Sequence, residues 1–146
     1  MSFWEGLVAG TPEGEPAASQ IPLVDYLVLD DDPYLVALEC EDCLARFFGR
    51  RNACASCSGT RFRTVSVSRE GTLRTFTIVS LAAPGIPVPF VAAVVDCDGT
   101  SVRGNLVNVE PDPAHVLLGM KVRLTTVPLG TDAAGVLAVG YGFEPA

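Results

Sequence analysis

Hydrophobic residues along this chain follow mostly the patterns of β-strands. Residues 65–68 alternate between valine and serine, Glu70-Gly71 supplies a turn, and residues 72–79 are dense in β-branched and aromatic side chains, which together predict a β-hairpin. The apolar run 90–95 lacks alternation and predicts a buried strand that ends at a turn over 96–99. Further strands are predicted over 35–39, 45–48, 100–109, 121–127 and 135–143.

Helical signals are confined to two short segments. Apolar residues at positions 3, 4, 7 and 8 form one face, Ser2 and Glu5 have the spacing of a capping box, and Gly10 offers a stop. They predict an amphipathic helix of about two turns, too short to be stable unless its apolar face packs on its own domain or on a partner. Residues 113–118 predict a single helical turn, and residues 11–34 an irregular connection with one possible short strand.

The number and length of the predicted strands define the fold class. Five or six strands with one short helical turn between the later ones are typical of a small closed β-barrel of the OB type. A β-sandwich is the alternative architecture. A hydrophobic fraction of 49% is enough for a core, and no apolar run approaches the ~20 residues that a bilayer span requires. We therefore expect a mainly β, soluble protein.

Four of the five cysteines form two C-x-x-C pairs separated by ten residues, Cys40/Cys43 and Cys54/Cys57. This is the spacing of a zinc ribbon, in which each pair directs two thiolates toward one point and the two pairs complete a tetrahedral shell. Because four sulfurs leave no open coordination position, the ion is expected to be structural.

Other uses of these cysteines remain open. Two disulfides would need an oxidising compartment, whereas the chain starts Met-Ser-Phe-Trp-Glu without a basic or apolar leader, so a cytoplasmic location is expected. Iron can occupy the same four sulfurs, as in rubredoxins, and the spacing does not choose between the metals. A thioredoxin-like role for one pair would leave the other unexplained. Cys97 stands apart and is predicted to be a half-buried strand thiol.

Charge is distributed very unevenly. The net charge is −7, yet residues 1–45 hold ten acids and no Lys or Arg, whereas residues 46–74 hold seven arginines and one glutamate. This basic island is expected to bind a polyanion, such as the phosphates of coenzyme A, or an acidic partner surface, or to pair with the chain's own acidic segment. The seven arginines are Arg46, Arg50, Arg51, Arg61, Arg63, Arg69 and Arg74.

Catalytic motifs are nearly absent from the sequence. His115 is the only histidine, it lies in a predicted turn, and no nucleophile has an evident reason to be near it. No dinucleotide fingerprint, P-loop or nucleophile elbow is present. We therefore predict that this chain is not an enzyme by itself and assign it no catalytic residue.

Short motifs in a recognisable order run over essentially the whole chain. The motifs are Phe-Trp-Glu-Gly-Leu at 3–7, the cysteine pairs at 40–43 and 54–59, Thr-Phe-Thr at 75–77, Pro-x-Pro-Phe-Val-Ala-x-Val at 87–94, Gly-Asn-Leu-Val at 104–107 and Gly-Met-x-Val at 119–122. Their order resembles that of the acyl-CoA-associated proteins that combine a zinc ribbon with an OB-fold. Two features depart from the pattern of that family: Leu44 stands where a glycine often follows the first cysteine pair, and residues 11–34 are longer and more acidic than the usual link.

The resemblance implies three regions and a function. The regions are an N-terminal helix with its acidic connection (1–34), a rubredoxin-like zinc ribbon (35–63) and an OB barrel (64–146). It also implies an accessory subunit of a thiolase-like, sterol-carrier-type enzyme acting on acyl-CoA, with carbon–carbon bond cleavage such as steroid side-chain retro-aldol as one chemistry. The partner would supply the catalytic residues, and this chain would stabilise it or contact the acyl-CoA.

Two other functions compete with this interpretation. Zinc ribbons and OB barrels also bind nucleic acids, and the phenylalanines at 47, 48, 62 and 76 could stack on bases, but a pI near 4.5 opposes such a role. A self-sufficient acyl-CoA enzyme is the third possibility and would have to depend on His115.

Overall fold

A computed structural model describes residues 20–146 of the protein. Within this range the chain forms ten strands and no helix, and the N-terminal helix predicted from residues 2–10 lies outside it. The strands are β1 (Gln20–Pro22), β2 (Leu27–Val28), β3 (Tyr34–Cys40), β4 (Arg46–Phe47), β5 (Phe62–Val67), β6 (Glu70–Val79), β7 (Phe90–Cys97), β8 (Thr100–Leu106), β9 (Lys121–Thr131) and β10 (Leu137–Pro145).

The last five strands close into a barrel. Around it the order is β6-β7-β8-β10-β9 and back to β6, with antiparallel neighbours except where β10 runs parallel to β8 at Phe143 and Leu106. This connectivity is that of an OB-fold, so the predicted barrel is confirmed and the sandwich is wrong. A two-residue turn at Asp98-Gly99 joins β7 to β8, and both residues have positive φ, as a type I′ hairpin turn requires.

Alternating side chains of the barrel strands fill its interior. On β7 every second residue is buried, and Phe143 of β10 is fully buried. The ring of Phe143 comes so close to β8 that a Cβ on Gly104 would lie 3.2 Å from it, which explains the glycine there. The most deeply buried barrel residues are Leu73, Val91, Val95, Val102, Val122 and Phe143.

The connection between β8 and β9 forms a turn where a short helix was expected. The N–H of Val116 bonds to the Asp112 carbonyl at 3.1 Å, but the pattern stops after this single bond. The Asp112 carboxylate accepts the N–H groups of Ala114 and His115, and this local capping competes with helix propagation. Val116 is buried in the core, 1% exposed, so the turn still closes the barrel.

A second, smaller sheet, the ribbon sheet, carries the cysteine pairs: Cys40 ends its strand β3, and the other three cysteines lie in the loops before and after β4. Its central strand is β3, which pairs with β5 along one edge and with β2 and β4 along the other. The predicted hairpin of 65–79 is therefore wrong: β5 pairs with β3, whereas β6 pairs with β7 and β9. Ser68 and Arg69 carry the chain between the sheets, and Leu124 of the barrel donates its N–H to the Arg69 carbonyl. The pairing of β5 and β6 depends on strands elsewhere in the chain, which the local sequence pattern does not identify.

The connection before β3 joins both sheets. β1 adds to the barrel as a parallel neighbour of β10, and β2 adds to the ribbon sheet, so residues 20–34 contain two short strands where one was predicted. Tyr26 contacts Phe48 of the ribbon, with ring centroids 4.8 Å apart, and Tyr141 of the barrel at 6.2 Å. Buried residues of both sheets thereby form one hydrophobic core.

Candidate metal centre

The four predicted ligands come together at one end of the ribbon sheet. The Sγ atoms of Cys40, Cys43, Cys54 and Cys57 all lie within 4.8 Å of one another. Cys40 and Cys57 are 3.6 Å apart, as are Cys43 and Cys54, whereas a disulfide requires about 2.05 Å. A tetrahedron with Zn–S bonds of 2.3 Å has S···S edges of about 3.8 Å. The cluster therefore has the size of a tetrathiolate metal site.

The two cysteine pairs have the same backbone geometry. In the first, Cys40 donates its N–H to Ala45 and accepts the N–H of Leu44; in the second, Cys54 donates to Gly59 and accepts from Ser58. These four bonds are 2.7 to 2.9 Å long. Such paired turns direct two sulfurs from each loop toward a common point, so the polypeptide itself prepares the site.

Leu44 stands where a glycine often follows the first cysteine pair, and its backbone has the conformation that favours glycine. Leu44 and Ser58, each four residues after the first cysteine of its pair, both have φ of 68°, the left-handed conformation that glycine adopts most easily. Leu44 is 59% exposed, so its side chain does not contribute to the core. The loop of the first cysteine pair thus keeps the left-handed conformation at Leu44, where a non-glycine residue adds backbone strain.

Gly59 has a steric reason to be glycine. A Cβ at this position would lie 2.6 Å from Asp42 Oδ2, 3.3 Å from Cys57 Sγ and 3.4 Å from Cys40 Sγ. The backbone here passes directly against the cluster, so any side chain would push on the sulfurs or on Asp42.

Two thiols of the cluster, Cys54 and Cys57, have pKa values shifted in opposite directions. Burial raises the pKa of Cys54, but the backbone N–H groups of Cys57 and Ser56 and the neighbouring thiols more than offset it and bring the pKa to about 7. For Cys57 the N–H of Gly59 lowers the pKa, yet the thiols of Cys40 and Cys43 raise it to about 12. Four thiolates so close together repel one another, and a divalent cation is the group that would let all of them ionise.

An ion pair fastens the two loops to each other. Arg61, which follows the second pair, donates from Nη2 to Asp42 Oδ1 of the first pair at 2.7 Å, and the Glu41 N–H bonds to the Arg61 carbonyl at 3.0 Å. The Asp42 carboxylate, with the help of the nearby Glu41 charge, raises the pKa of Arg61. One arginine of the basic island is therefore part of the frame of the metal centre.

A row of three charged residues crosses the ribbon sheet beside Cys40. Arg46 on β4, Glu39 on β3 and Arg63 on β5 are direct cross-strand neighbours. Arg46 Nε donates to Glu39 Oε2 at 2.9 Å, and Arg63 donates to Oε1 from Nε at 2.9 Å and from Nη2 at 2.6 Å. Glu39 is only 8% exposed, and its hydrogen bonds with Arg46 and Arg63 lower its pKa.

The same row connects the ribbon to the barrel. Arg46 also donates from Nη1 to the hydroxyl of Thr100 on β8 at 3.1 Å, and Thr100 is 7% exposed. An open cleft of about 680 Å³ lies between the two sheets at this point. Its charged and aromatic lining consists of Glu39, Arg46, Arg51, Asp98, Phe47 and Phe48. No sequence motif indicated this network, because Arg46 and Thr100, which join the two sheets, are 54 positions apart.

The remaining arginines of the basic island have diverse contacts. Arg51 lies over the Phe47 ring, with Cζ 4.7 Å from the centroid, Arg69 donates to the Pro33 carbonyl, and Arg74 is 3.6 Å from Asp96. Among the described residues, Arg50, Arg51 and Arg69 are the three of the seven without a carboxylate within 4.0 Å. Four of the seven arginines thus have a carboxylate partner, and acids of the N-terminal third, Glu39 and Asp42, bind three of these four.

The other two residues that the sequence singled out lie away from the cluster. Cys97 is 1% exposed and so fully buried, not half-buried as predicted, and burial together with Asp96 raises its pKa to about 11. His115 is exposed in the β8–β9 turn, with Nδ1 2.7 Å from Asp112 Oδ1, and its hydrogen bond lowers the pKa of that carboxyl. Neither residue joins the four cysteines.

Known proteins share this architecture. Residues 64–127 match the family model of the ChsH2 C-terminal OB-fold domain. The benzoylsuccinyl-CoA thiolase subunit BbsA of Thauera aromatica is 27% identical over 113 residues, which cover 77% of this chain and 76% of that protein. A chain of the solved Ltp2-ChsH2(DUF35) aldolase superposes with a TM-score of 0.58 at 24% identity, over 77% of this chain and 84% of that one. The last likeness shows the shared fold, and together the matches confirm the resemblance that the motif order indicated.

Proposed function

We propose that this chain, whose residues 64–127 match the family model of the ChsH2 C-terminal OB-fold domain, is a non-catalytic accessory subunit of a thiolase-like, sterol-carrier-type enzyme. The observation that carries the proposal is the match over 76% of a thiolase subunit, which includes the region of both cysteine pairs as well as the barrel. The enzyme would act on an acyl-CoA and break a carbon–carbon bond, with steroid side-chain retro-aldol cleavage as one candidate reaction. Its partner would supply the reacting side chains.

The metal centre fits a structural role in this subunit. The four sulfurs suit Zn²⁺ in number, spacing and chemistry, and the fit leaves no position for a substrate. Zinc bound there would hold the ribbon loops together and supply no reaction chemistry. The frame around it, Asp42 with Arg61 and Glu39 with two further arginines, orients the loops and links them to the barrel.

The cleft between ribbon and barrel is our candidate for contact with the acyl-CoA. Arg51 lines this cleft, and no carboxylate of the described residues lies within ion-pair distance of it. A guanidinium already held on an aromatic ring loses little freedom when it binds a phosphate, and its planar fork matches phosphate oxygens. Asp98 also lines the cleft and would favour a ligand that is not uniformly anionic.

Nucleic-acid binding is less well supported. Phe47, Phe48, Phe62 and Phe76 are all half-buried, and Phe48 already stacks on Tyr26, so they do not form an exposed stacking surface. We expect the protein in the cytoplasm, given its unpaired cysteines. Residues 20–146 contain no helix that could span a membrane.

The test is native purification of the tagged chain from its own cells, with mass spectrometry of the bound proteins and metal analysis of the eluate. A thiolase-like protein at near-stoichiometric ratio, with about one zinc per chain, is the expected result. A Cys43→Ser/Cys57→Ser variant serves as the matched control for a disrupted ribbon. Recovery of nucleic acid or of ribosomal and transcription proteins in place of a thiolase-like protein would overturn the proposal.

A further inference from the structure

The loop between β6 and β7, residues 80–89, exposes an unusual number of apolar side chains. Leu81 is 89% exposed, the highest value among the large exposed hydrophobic residues of the described chain, and Ile86 and Val88 are 50% and 43% exposed. Three of the nine such residues between positions 20 and 146 thus lie within eight positions of one another. Single exposed leucines are normal, but a cluster of this kind marks an interaction surface.

The loop is held in shape before any partner binds. Pro84 and Gly85 occupy the central positions of a turn closed by the Ile86 N–H on the Ala83 carbonyl at 3.2 Å, and Gly85 has φ of +92°, as a type II turn requires. Val79 pairs with Phe90 at the base of the loop. A loop constrained by its turn, its prolines and its paired base loses little conformational entropy on binding, which favours affinity.

The absence of charge from this loop limits the kinds of surface that can bind it. Residues 75–95 contain no charged side chain, although the whole chain has a net charge of −7. A surface without Lys or Arg does not attract phosphates, so nucleic acid is a poor occupant. An apolar groove fits, because neither side then has to bury a charge.

Neither of the two main clefts that residues 20–146 form in a second copy of this chain is such a groove. Its large cleft is lined by Glu39, Arg46, Arg51 and Asp98, and an apolar loop placed there would separate these charges from water without replacing their hydrogen bonds. The smaller cleft of about 190 Å³ has Asp25 and Arg50 at its edge. An uncharged apolar groove on a different protein therefore matches this loop better than either cleft of a second copy does.

We infer that residues 80–89 form the anchor by which this subunit docks into an uncharged apolar groove of its thiolase-like partner, with Leu81 as the central contact. The inference rests on the proposed function, since it names the surface used in that complex. An almost fully exposed leucine near the paired base of a constrained apolar loop has the properties of an interface hot spot once a partner buries it.

The experiment measures binding of the full chain to the thiolase-like protein that copurifies with it, after that protein has been separated and purified. Leu81→Ser should weaken binding by about tenfold or more, and Leu81→Met should restore most of the affinity. Leu118→Ser is the matched control: Leu118 is 66% exposed, but its neighbour Gly119 bonds to Leu73 near the start of β6, roughly 20 Å from the loop. All three variants should unfold at the wild-type temperature because the replaced side chains are exposed.

The outcomes separate this inference from the proposed function. Recovery of no thiolase-like protein by the wild-type chain would overturn both. Capture of the partner with equal affinity by wild type and Leu81→Ser would overturn the docking loop alone. Binding to phosphatidylcholine–phosphatidylglycerol vesicles, or dimerisation in size-exclusion chromatography, that Leu81→Ser abolishes without changing partner affinity would assign the loop to lipid or to a second copy and would also overturn it.

Discussion

Arg46 of the ribbon donates a hydrogen bond from Nη1 to the hydroxyl of Thr100 in the barrel, across 54 positions of sequence. The same guanidinium is held by Glu39, the residue immediately before Cys40 of the four-cysteine cluster. The Arg46 side chain therefore links β3, the strand that carries Cys40, to the β7–β8 hairpin of the barrel.

Removal of the Thr100 hydroxyl should destabilise the protein measurably. Thr100→Val keeps the shape but leaves an arginine donor without its acceptor, and hydrogen bonds to charged groups contribute about 1.5–3 kcal/mol. We expect the free energy of unfolding in urea to fall by about this amount. Thr100→Ser retains a hydroxyl and should lose much less. Equal stability of the valine and serine variants would show that the bond does not join the two sheets.

Loss of one ligand should release the metal. Cys40→Ser is expected to reduce the metal content of the purified protein and to loosen the ribbon, because structural zinc sites contribute on the order of 10 kcal/mol in small domains. Cys97→Ala is the control, since Cys97 is buried in the barrel core outside the cluster. Metal analysis by mass spectrometry should give wild-type content for the alanine variant. A Cys40→Ser protein with full metal and unchanged melting would refute the tetrathiolate site.

A methyl group at Gly59 should disturb the cluster. Gly59→Ala places a Cβ against Asp42 and two sulfurs, so either the Asp42–Arg61 pair opens or the sulfurs move. We expect metal to be lost to a chelator about tenfold faster or more, as happens when residues that orient ligands are altered. Gly49→Ala is a useful comparison, since nothing lies within 4 Å of a Cβ there, although its φ of +80° adds backbone strain. Similar release rates for the two variants would contradict a steric role for Gly59.

Acidification should weaken the ribbon through Glu39. Its pKa is lowered in the folded state, so its contribution to stability is complete above the ordinary carboxyl pKa, near 4.5, and is lost as the pH falls through the lowered value. The wild type should therefore be more stable than Glu39→Gln by a constant amount from pH 7 to about pH 5. Below that the difference should shrink.

Chemical denaturation of both proteins at several pH values measures this difference. Protonation of the cysteines and release of metal occur in both proteins and largely cancel in the comparison. A difference that stays constant down to pH 3, or increases, would show that the two arginines do not hold Glu39 ionised. Glu144→Gln offers a parallel test in the barrel, where Asn108 and Arg123 lower the pKa of Glu144.

Much of this protein was predictable from local sequence because its signals are local. The four cysteines have a spacing that specifies a metal ribbon, and their Sγ atoms are indeed clustered. The strands β7 to β10 coincide with short runs of apolar or alternating residues. Asp98-Gly99 is a dipeptide typical of the two-residue hairpin turn that it forms. Each of these features depends on residues within a few positions of one another.

Tertiary structure alone decided which strands pair and which charges meet. Residues 65–79 have the pattern of a hairpin, yet β5 and β6 belong to different sheets. The reason is that β5 pairs with β3, a strand outside residues 65–79, and β6 pairs with β7. The triad of Arg46, Glu39 and Arg63 and its bond to Thr100 arise from cross-strand register and from the packing of two sheets. Such contacts join residues far apart in the chain, so no periodicity or motif encodes them locally, and only the folded chain brings them within hydrogen-bonding distance.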